Sequence, residues 1–585
     1  MKALALSFLI VHLAGVALAQ QLSLGEILSK LDSKPTPSLA RNAATTAILE
    51  RQSQMAFIRM VNCFVTLLGD AKKEKLPQDR LPVLTSLADS LMLLGLVNNS
   101  GECDALSDVV FCKWLFKNQG RLDSFLDNFN PQFDDFPGTM EILRTLYQHD
   151  PESREKTWPL MLALALVWDK SLAPLHNQIG ENAIEFSPDI ARRFDFFKST
   201  LCGPHAVFSM ETLSIPSLCL IVDTPVPVSE LLWAQRNVKE RSPEKIYKSI
   251  KYDSMRVNSL AFSWPYGRYS LEAIQNKGGI CVDQAYYTVI VLRSRGIPAL
   301  LFSGKGLRGR HAWVAYLKNK QTWETGVGRY NDQKFTTGEA RNPQTGETFI
   351  DHLLPIVSEN FIRKNSISRD SDSLARLAFA LLFIKRPKLA EDAAYRAVSV
   401  NKYEMSAWQI LEHAQENPDG LIRVLDEQAK AFAKYSDVVT KIRLRQVALL
   451  RQNGRDAESE ALLKKLMNNN RKREDLSREI AFQQIEMALA EKNPEKARLL
   501  FEKHLRSQKK EGAKVLEDLY IYLDFTKEIN QTAPAEEFTE YFVKTFKRSF
   551  NKISRENPVF QNWDREVLSI AYENNHNYKK LKKLK

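Results

Sequence analysis

The sequence predicts a multidomain protein that is mainly α-helical, with one small antiparallel sheet between two long helical regions. Three observations carry this prediction. The chain has 585 residues, too many for one ordinary hydrophobic core. Apolar residues recur at helical spacing before about residue 236 and again after about residue 370. Between these regions, short apolar runs bounded by glycine and polar turns are typical of β-strands.

The N-terminus is typical of a secretory signal peptide. Met1 and Lys2 precede a largely apolar run, and Ala17-Leu18-Ala19 offers the small residues of a cleavage site. We therefore predict a signal peptide over residues 1–19 and a secreted or periplasmic location. No later segment reaches about 18 consecutive apolar residues, so no membrane span is expected.

Composition indicates a globular protein with a basic surface. Charged residues make up 26% of the chain, hydrophobic residues 44%, and the formal net charge is +12. The positive charge is dispersed and accompanies no recognisable nucleic-acid-binding motif. We expect a solvated basic surface and no nucleic-acid partner.

Residues 20–236 are predicted to form an N-terminal helical domain, because helical periodicity runs through them without convincing strand alternation. Helices are expected at 81–96, 140–147, 158–167 and 188–197. No residues in this domain indicate chemistry, and its expected role is to pack against the central domain.

Residues 237–355 are predicted to form a central α+β domain. The expected helices cover 244–252, 271–277 and 281–295, and the expected strands cover 299–302, 312–317 and 322–327. Gly278 and Gly279 break the chain before the third helix, and Gly296 with Pro298 ends it. A helix beginning at Cys281 should therefore pack on a small antiparallel sheet.

Residues 356–585 are predicted to form an α-solenoid. Similar helical segments surround Asp392, Asp456 and Glu495, with small residues where paired helices approach closely. Their separations are near multiples of a 34-residue unit, which favours tetratricopeptide-like repeats. A generic array of helical hairpins remains open. Such stacks offer a surface for a protein or peptide partner, although a purely structural cap fits equally well.

Six cysteines are distributed along the chain. Since export permits disulfides, local pairs are expected for Cys103 with Cys112 and for Cys202 with Cys219. Cys63 lies in an apolar helical run and is expected to be a buried free thiol. Closely spaced Cys or His pairs typical of zinc sites do not occur, so neither a metal nor another cofactor is predicted.

Cys281 and His311 are the residues that best indicate chemistry. Cys281 opens a predicted helix, where terminal N–H groups and the helix dipole favour thiolate over thiol. His311 begins a predicted strand, from which an imidazole can take and return a proton during acyl transfer. The pattern therefore favours a cysteine nucleophile assisted by histidine.

Three segments of the central region together resemble the transglutaminase-like superfamily, whose members have a papain-type cysteine fold. They are Gly278-Gly279-Ile280-Cys281 with the helix that follows, Arg293-Ser294-Arg295-Gly296-Ile297-Pro298-Ala299, and His311-Ala312-Trp313. The resemblance covers roughly residues 245–335. It implies a Cys–His–acid triad acting on an amide or ester carbonyl, in a superfamily of peptidases, amidases, protein crosslinkers and inactive members.

The resemblance implies specific roles for individual residues. Cys281 corresponds to the nucleophile and its N–H to an oxyanion donor, His311 to the general base and acid, and Gln275 to a second oxyanion donor. The family's acid has no counterpart at its usual place after Trp323. Glu324 is the expected substitute, with Asn331 and Asp332 as alternatives.

These features predict an exported thiol acyl-transfer enzyme, either a peptide or isopeptide hydrolase or a transglutaminase-type enzyme, with a protein or peptide substrate. The absent acid favours an alternative: a non-catalytic scaffold or binding protein with a degenerate transglutaminase-like core and helical repeats.

Overall fold

The computed structural model describes residues 22–69, 74–186, 188–204, 206–306, 309–320, 322–330, 337–356, 367–508, 512–556 and 561–584. The predicted signal peptide at 1–19 lies outside these residues and stays a prediction. The described residues are mainly helical and contain a small antiparallel sheet, as the sequence predicts.

Helices precede and follow the sheet. Those before it are α1 (Leu24–Ser33), α2 (Pro37–Leu49), α3 (Ser53–Leu68), α4 (Leu81–Asn99), α5 (Val109–Lys117), α6 (Gln119–Asn128), α7 (Phe136–His149), α8 (Arg154–Trp168), α9 (Ile190–Cys202), α10 (Ile215–Val222), α11 (Val228–Asn237), α12 (Pro243–Ser249), α13 (Ser254–Asn258), α14 (Leu271–Lys277) and α15 (Cys281–Ser294). Those after it are α16 (Ile367–Phe383), α17 (Pro387–Val400), α18 (Met405–His413), α19 (Pro418–Ala431), α20 (Ser436–Gln452), α21 (Asp456–Asn469), α22 (Glu474–Ala490), α23 (Pro494–Ser507), α24 (Gly512–Glu528), α25 (Thr532–Glu556), α26 (Trp563–Asn574) and α27 (Tyr578–Leu584).

The described part of the sheet has five antiparallel strands in the order β3-β2-β1-β4-β5. They are β1 (Ala299–Gly306), β2 (Gly309–Asn319), β3 (Thr322–Val327), β4 (Glu339–Arg341) and β5 (Thr348–Ile350). The first three lie where the sequence predicts them. Buried apolar side chains such as Phe302 and Trp313 form the core beneath one face.

The chain divides into two compact units, each built from two separate segments. Within the described residues, the first comprises 22–148 and 367–415, and the second comprises 149–356 and 416–584. These bounds differ from the three consecutive domains expected at 20–236, 237–355 and 356–585.

In the first unit, helices that are distant in sequence pack together. For this reason its bounds differ from those of the expected consecutive domains. Helix α16 packs on α4, α6 and α17. Arg376 of α16 reaches Asp89 at 2.6 Å and Asp127 at 2.7 Å, so one guanidinium joins three helices. Periodicity predicts each helix but does not predict such pairing between distant segments.

The second unit is organised around α15. Every residue of α15 after Cys281 is buried, and the helix packs against β1, β2, α11, α12 and α14. In the same unit, successive helices from α19 to α27 contact their neighbours in the chain, which is the local pattern of a helical array. The predicted array is thus present, although α16–α18 belong to the first unit.

All six cysteines are free thiols, which corrects both predicted disulfides. Cys219 is buried in α10 with its sulfur 3.9 Å from the Ala163 carbonyl, whereas Cys202 is exposed at the end of α9. Cys112 is buried and its sulfur lies 3.6 Å from the Leu106 carbonyl. Cys63 is a buried free thiol, as predicted.

Within the described residues, one helical stretch is long and apolar enough to cross a bilayer by length and composition. It covers Gln78–Asn99, and half of its most apolar window is buried inside the protein. A core helix has the same properties.

Candidate active site

Two glycines present Cys281 at the start of α15. Gly278 has φ +82°, and a Cβ there would lie 2.4 Å from the carbonyl oxygen of Lys251. A Cβ on Gly279 would lie 2.5 Å from the Cβ of Asp283. The Gly279 N–H donates to the Lys251 carbonyl at 2.9 Å, so the turn before Cys281 is fixed to a neighbouring segment. Only glycine fits this close approach of two backbones.

Asp283 supports the turn from inside the protein. Its carboxylate is fully buried and accepts hydrogen bonds from the Ile280 N–H at 2.8 Å, Arg256 Nη1 at 2.6 Å and the Tyr269 hydroxyl at 2.9 Å. The bond to Ile280 satisfies an N–H at the helix start, which has no acceptor within the helix. The bond to Arg256 offsets the cost of burying both charges.

Tyr247 holds the start of α15 against strand β2. Its hydroxyl donates to the Ala312 carbonyl at 2.8 Å and lies 3.3 Å from the Cys281 carbonyl. Since Ala312 follows His311 in the chain, these contacts bring the nucleophile candidate beside the strand that carries the imidazole.

His311 is held by a backbone carbonyl. Its Nε2 lies 2.7 Å from the Gly328 oxygen, and its ring stacks on Tyr330 with centroids 4.2 Å apart. A carbonyl oxygen only accepts, so Nε2 must carry a proton in this bond. In the neutral imidazole the lone pair then lies on Nδ1, as a general base requires.

The backbone conformation and close packing at position 328 require glycine. Its φ is +82°, and a Cβ there would lie 2.4–2.7 Å from atoms of the Tyr247 ring. Its N–H donates to the Glu244 carboxylate at 3.2 Å, and its carbonyl accepts from His311. The same glycine therefore touches both side chains that organise the site.

Burial raises the pKa of the Cys281 thiol to about 11. The N–H groups of Ala312, Val282 and Cys281 itself lower this pKa, while the negative charge of Asp283 raises it. The expectation of a thiolate favoured by the helix N-terminus is corrected, since desolvation outweighs the helix-terminal donors here. The resting sulfur is protonated at neutral pH.

The structure corrects the assignment of Glu324 as the triad acid. Glu324 lies opposite Tyr316 in the β2–β3 pairing, five positions along β2 from His311, or roughly 17 Å. Its carboxylate lies 3.7 Å from the Lys318 ammonium and is 44% exposed. The alternatives Asn331 and Asp332 lie outside the described residues.

Gln275 lies on the exposed face of α14. Its role as a second oxyanion donor stays a prediction.

One cluster in the described residues has the side chains of a metal site. His352, Asp437 and Asp475 bring their ligand atoms within 4.8 Å of one another. The guanidinium of Arg473 already donates to all three, at 2.9, 2.7 and 2.7 Å. The cluster is therefore an ion-pair network, with the cation supplied by the protein.

Sequence reasoning missed several residues of the site. Asp283 stands three positions after Ile280, the spacing of a capping box, so local pattern offered a signal for it. Arg256, Tyr247 and Gly328 act across long sequence separations. Nothing local marks their roles.

Comparison with known proteins adds little to this geometry. No family model matches the chain. No curated protein matches it either. A solved structure described as the crystal structure of the APC/C hetero-tetramer Cut9-Hcn1 is similar at 11% identity, covering 96% of this chain and 92% of that chain, with a TM-score of 0.20.

Proposed function

We propose that the protein is a thiol acyl-transfer enzyme, with Cys281 as nucleophile and His311 as general base and acid. The observation that carries the proposal is the Tyr247 hydroxyl, which lies 3.3 Å from the Cys281 carbonyl oxygen and 2.8 Å from that of Ala312, one residue from His311. The Nε2 contact to Gly328 supports it, because this bond leaves the basic lone pair on Nδ1.

The raised thiol pKa shapes the mechanism. Because the thiol is protonated at neutral pH, His311 Nδ1 takes its proton as the sulfur attacks an amide or ester carbonyl. The S–C bond forms, and the N–H of Cys281 is a donor for the developing oxyanion. The C–N or C–O bond then breaks, and the proton on Nδ1 passes to the leaving group. Water or an amine next attacks the thioester with His311 again as base. The S–C bond breaks, the acyl group leaves on the attacking oxygen or nitrogen, and the proton on Nδ1 returns to the sulfur.

The resemblance to transglutaminase-like proteins supports a peptide or protein as the acyl donor, and the proposed location remains secreted or periplasmic. The helical array of the second unit supports a protein partner, because stacked helices offer an extended surface. We propose tetratricopeptide-like packing for this array.

Acetylation by p-nitrophenyl acetate tests the proposal. Near pH 7, Cys281 is expected to acquire an acetyl group faster than the exposed thiol of Cys202 in the same molecule. His311→Ala should slow acetylation of Cys281 on the order of 10²-fold, the contribution of a general base. This deficit should shrink as the pH rises toward about 11, where the thiolate forms without the imidazole. Peptide mapping by mass spectrometry measures both sites.

Non-specific acetylation is measured by two controls. One is the exposed thiol of Cys202 in the same molecule, and the other is the variant Cys281→Ser. If Cys281 reacts no faster than Cys202, or if His311→Ala leaves its rate unchanged near pH 7, the enzyme proposal fails.

A second candidate is a non-catalytic protein that binds a partner through its helical surfaces. The carbonyl of Gly328 at the position of a triad carboxylate favours it, because a carbonyl stabilises imidazolium less than a full negative charge. Exposed apolar side chains on the array, such as Leu499 and Tyr541, also favour a binding surface. Failure of the acetylation test would support this candidate.

A further inference from the structure

A group of exposed apolar side chains lies on the segment that leads toward Cys281. Residues 252–266 carry five large apolar side chains that are 37–81% exposed, more than any other stretch of this length in the described residues: Tyr252, Met255, Leu260, Phe262 and Tyr266. We call these five side chains the apolar rim. Exposed apolar side chains that are scattered singly are ordinary, whereas a cluster of them indicates an interaction site.

The rim begins beside the proposed nucleophile. The backbone of Tyr252 is bridged to that of Gly279, which stands just before Ile280 and Cys281. The Gly279 N–H donates to the Lys251 carbonyl at 2.9 Å, and the Gly279 carbonyl accepts from the Asp253 N–H at 3.0 Å. These bonds fix the first rim residue against the turn that presents the sulfur.

The phenol of Tyr252 lies in the same neighbourhood as Cys281 and Tyr330. Partial burial raises the pKa of Tyr252, and the negative charges that Cys281 and Tyr330 carry when ionised raise it further. Tyr330 is itself exposed, and its ring stacks on His311. An aromatic ring therefore lies near each of the two proposed reacting groups.

Hydrogen bonds hold the segment that carries the rim in place. The guanidinium of Arg256, which is paired with Asp283, also donates to the Phe262 carbonyl at 2.6 Å. The Tyr266 hydroxyl donates to the Asp253 carboxylate at 2.6 Å. A surface fixed in this way loses little conformational entropy when a ligand covers it.

Both charged side chains of the rim segment are already engaged. Residues 252–266 include Asp253 and Arg256 as their charged residues. Arg256 is buried against Asp283, and Asp253 accepts hydrogen bonds from the Tyr266 hydroxyl and the Arg256 N–H. Since the rim is largely aromatic and its charges are paired, it favours an uncharged aromatic or large apolar group.

We propose that the apolar rim, together with Tyr330, binds an aromatic or large apolar group of the acyl donor next to the carbonyl that Cys281 attacks. This inference rests on the proposed acyl-transfer function and names the class of acyl donor for it, such as an acyl group carrying a phenyl ring or the aromatic residue of a peptide. The bonds that form and break are those of the proposed reaction.

Two esters with the same leaving group test the proposal: p-nitrophenyl acetate and p-nitrophenyl 3-phenylpropanoate. Peptide mapping measures acylation of Cys281 and of the exposed thiol of Cys202 in the same sample, and the rate at Cys202 corrects for the intrinsic reactivity of each ester. After this correction, we expect Cys281 to prefer the phenylpropanoyl ester about tenfold, because an apolar surface accepts the phenyl ring.

Two variants connect this preference to the rim. Tyr252→Ala should remove most of it, since the ring nearest Cys281 is lost. Met255→Ser should lower it in the same direction, and Met255 is so exposed that its replacement leaves the folded core intact. Tyr578→Ala is the matched control, because Tyr578 is an exposed tyrosine of the same unit on α27, which packs on α26. Its preference should equal that of the unmodified protein.

The outcomes separate this inference from the proposed function. Rapid acetylation of Cys281 without a preference for the phenylpropanoyl ester, or a preference unchanged in both rim variants, would overturn the rim as a binding surface and leave the acyl-transfer proposal standing. Acylation of Cys281 no faster than Cys202 with p-nitrophenyl acetate would overturn the acyl-transfer proposal. The corrected preference and its loss in Tyr252→Ala would then still decide whether the rim binds an aromatic group beside Cys281.

Discussion

Asp283→Asn is expected to accelerate amide hydrogen exchange around the turn before Cys281 on the order of 10²- to 10³-fold. The substitution removes the charge that compensates Arg256, and breaking a buried ion pair costs about 3–5 kcal/mol. The Ile280 N–H and the Tyr269 hydroxyl also lose a charged acceptor. Exchange measured by mass spectrometry on peptides covering 278–290 reports this local opening. Acetylation of Cys281 should fall with it, because the turn no longer holds the sulfur beside β2.

Asp223→Asn provides the matched control. Asp223 forms an equally buried ion pair with Arg293 at 2.9 Å, twelve residues along α15 from Cys281 and about 18 Å away along the helix axis. We expect a similar loss of protection near Arg293 and no change in acetylation of Cys281. If Asp283→Asn leaves both the exchange rates and the acetylation of Cys281 unchanged, the supporting role of Asp283 is wrong.

Gly328→Ala is expected to lower the stability of the second unit by about 2–5 kcal/mol and to abolish rapid acetylation of Cys281. An L-residue at φ +82° costs roughly 1–2 kcal/mol, and overpacking against the Tyr247 ring adds about 1–3 kcal/mol. Relief of the clash displaces Tyr247, which holds Ala312, or the Gly328 carbonyl, which holds His311. Thermal unfolding and the acetylation assay together measure both effects.

Gly346→Ala separates the cost of the backbone conformation from the cost of overpacking. Gly346 has φ +71°, but a Cβ there would meet nothing within 4 Å. This control should show the backbone cost alone, with normal acetylation of Cys281. Equal behaviour of the two variants in both assays would contradict the role of Gly328 at the site.

Local sequence signals predict the frame of the site well. Helix α14 and strand β3 have the predicted bounds, and α15 begins at Cys281 as expected. The glycines expected to bound this helix do have helix-breaking backbone conformations: Gly278 and Gly296 have φ of +82° and +72°. By contrast, β4 and β5 have three residues each, too short for alternation to mark them.

The partner of His311 was beyond the reach of sequence reasoning. Register shifts between β2 and β3 decide which residue of the second strand meets the imidazole, and they place Glu324 opposite Tyr316. The group that His311 meets is a main-chain carbonyl, which every residue possesses. A search for an acidic side chain in the sequence therefore has no means of finding it.

The thiol pKa was predicted in the wrong direction for a related reason. The position of Cys281 at a helix start is visible in the sequence, and it correctly implies donors near the sulfur. The degree of burial depends on tertiary packing by side chains such as Tyr247, which come from distant segments. Burial proves the larger influence on this pKa.

The Gly328 carbonyl holds His311 with its proton on Nε2 and its lone pair on Nδ1. Long-range ¹H–¹⁵N correlation spectra of the histidine-labelled protein measure this directly, with His311 assigned from the signal absent in His311→Gln. The chain has 9 histidines, few enough for such an assignment. We predict that the neutral ring carries its proton on Nε2. A ring protonated at Nδ1 instead would contradict the account, because that nitrogen would then be unable to accept the thiol proton.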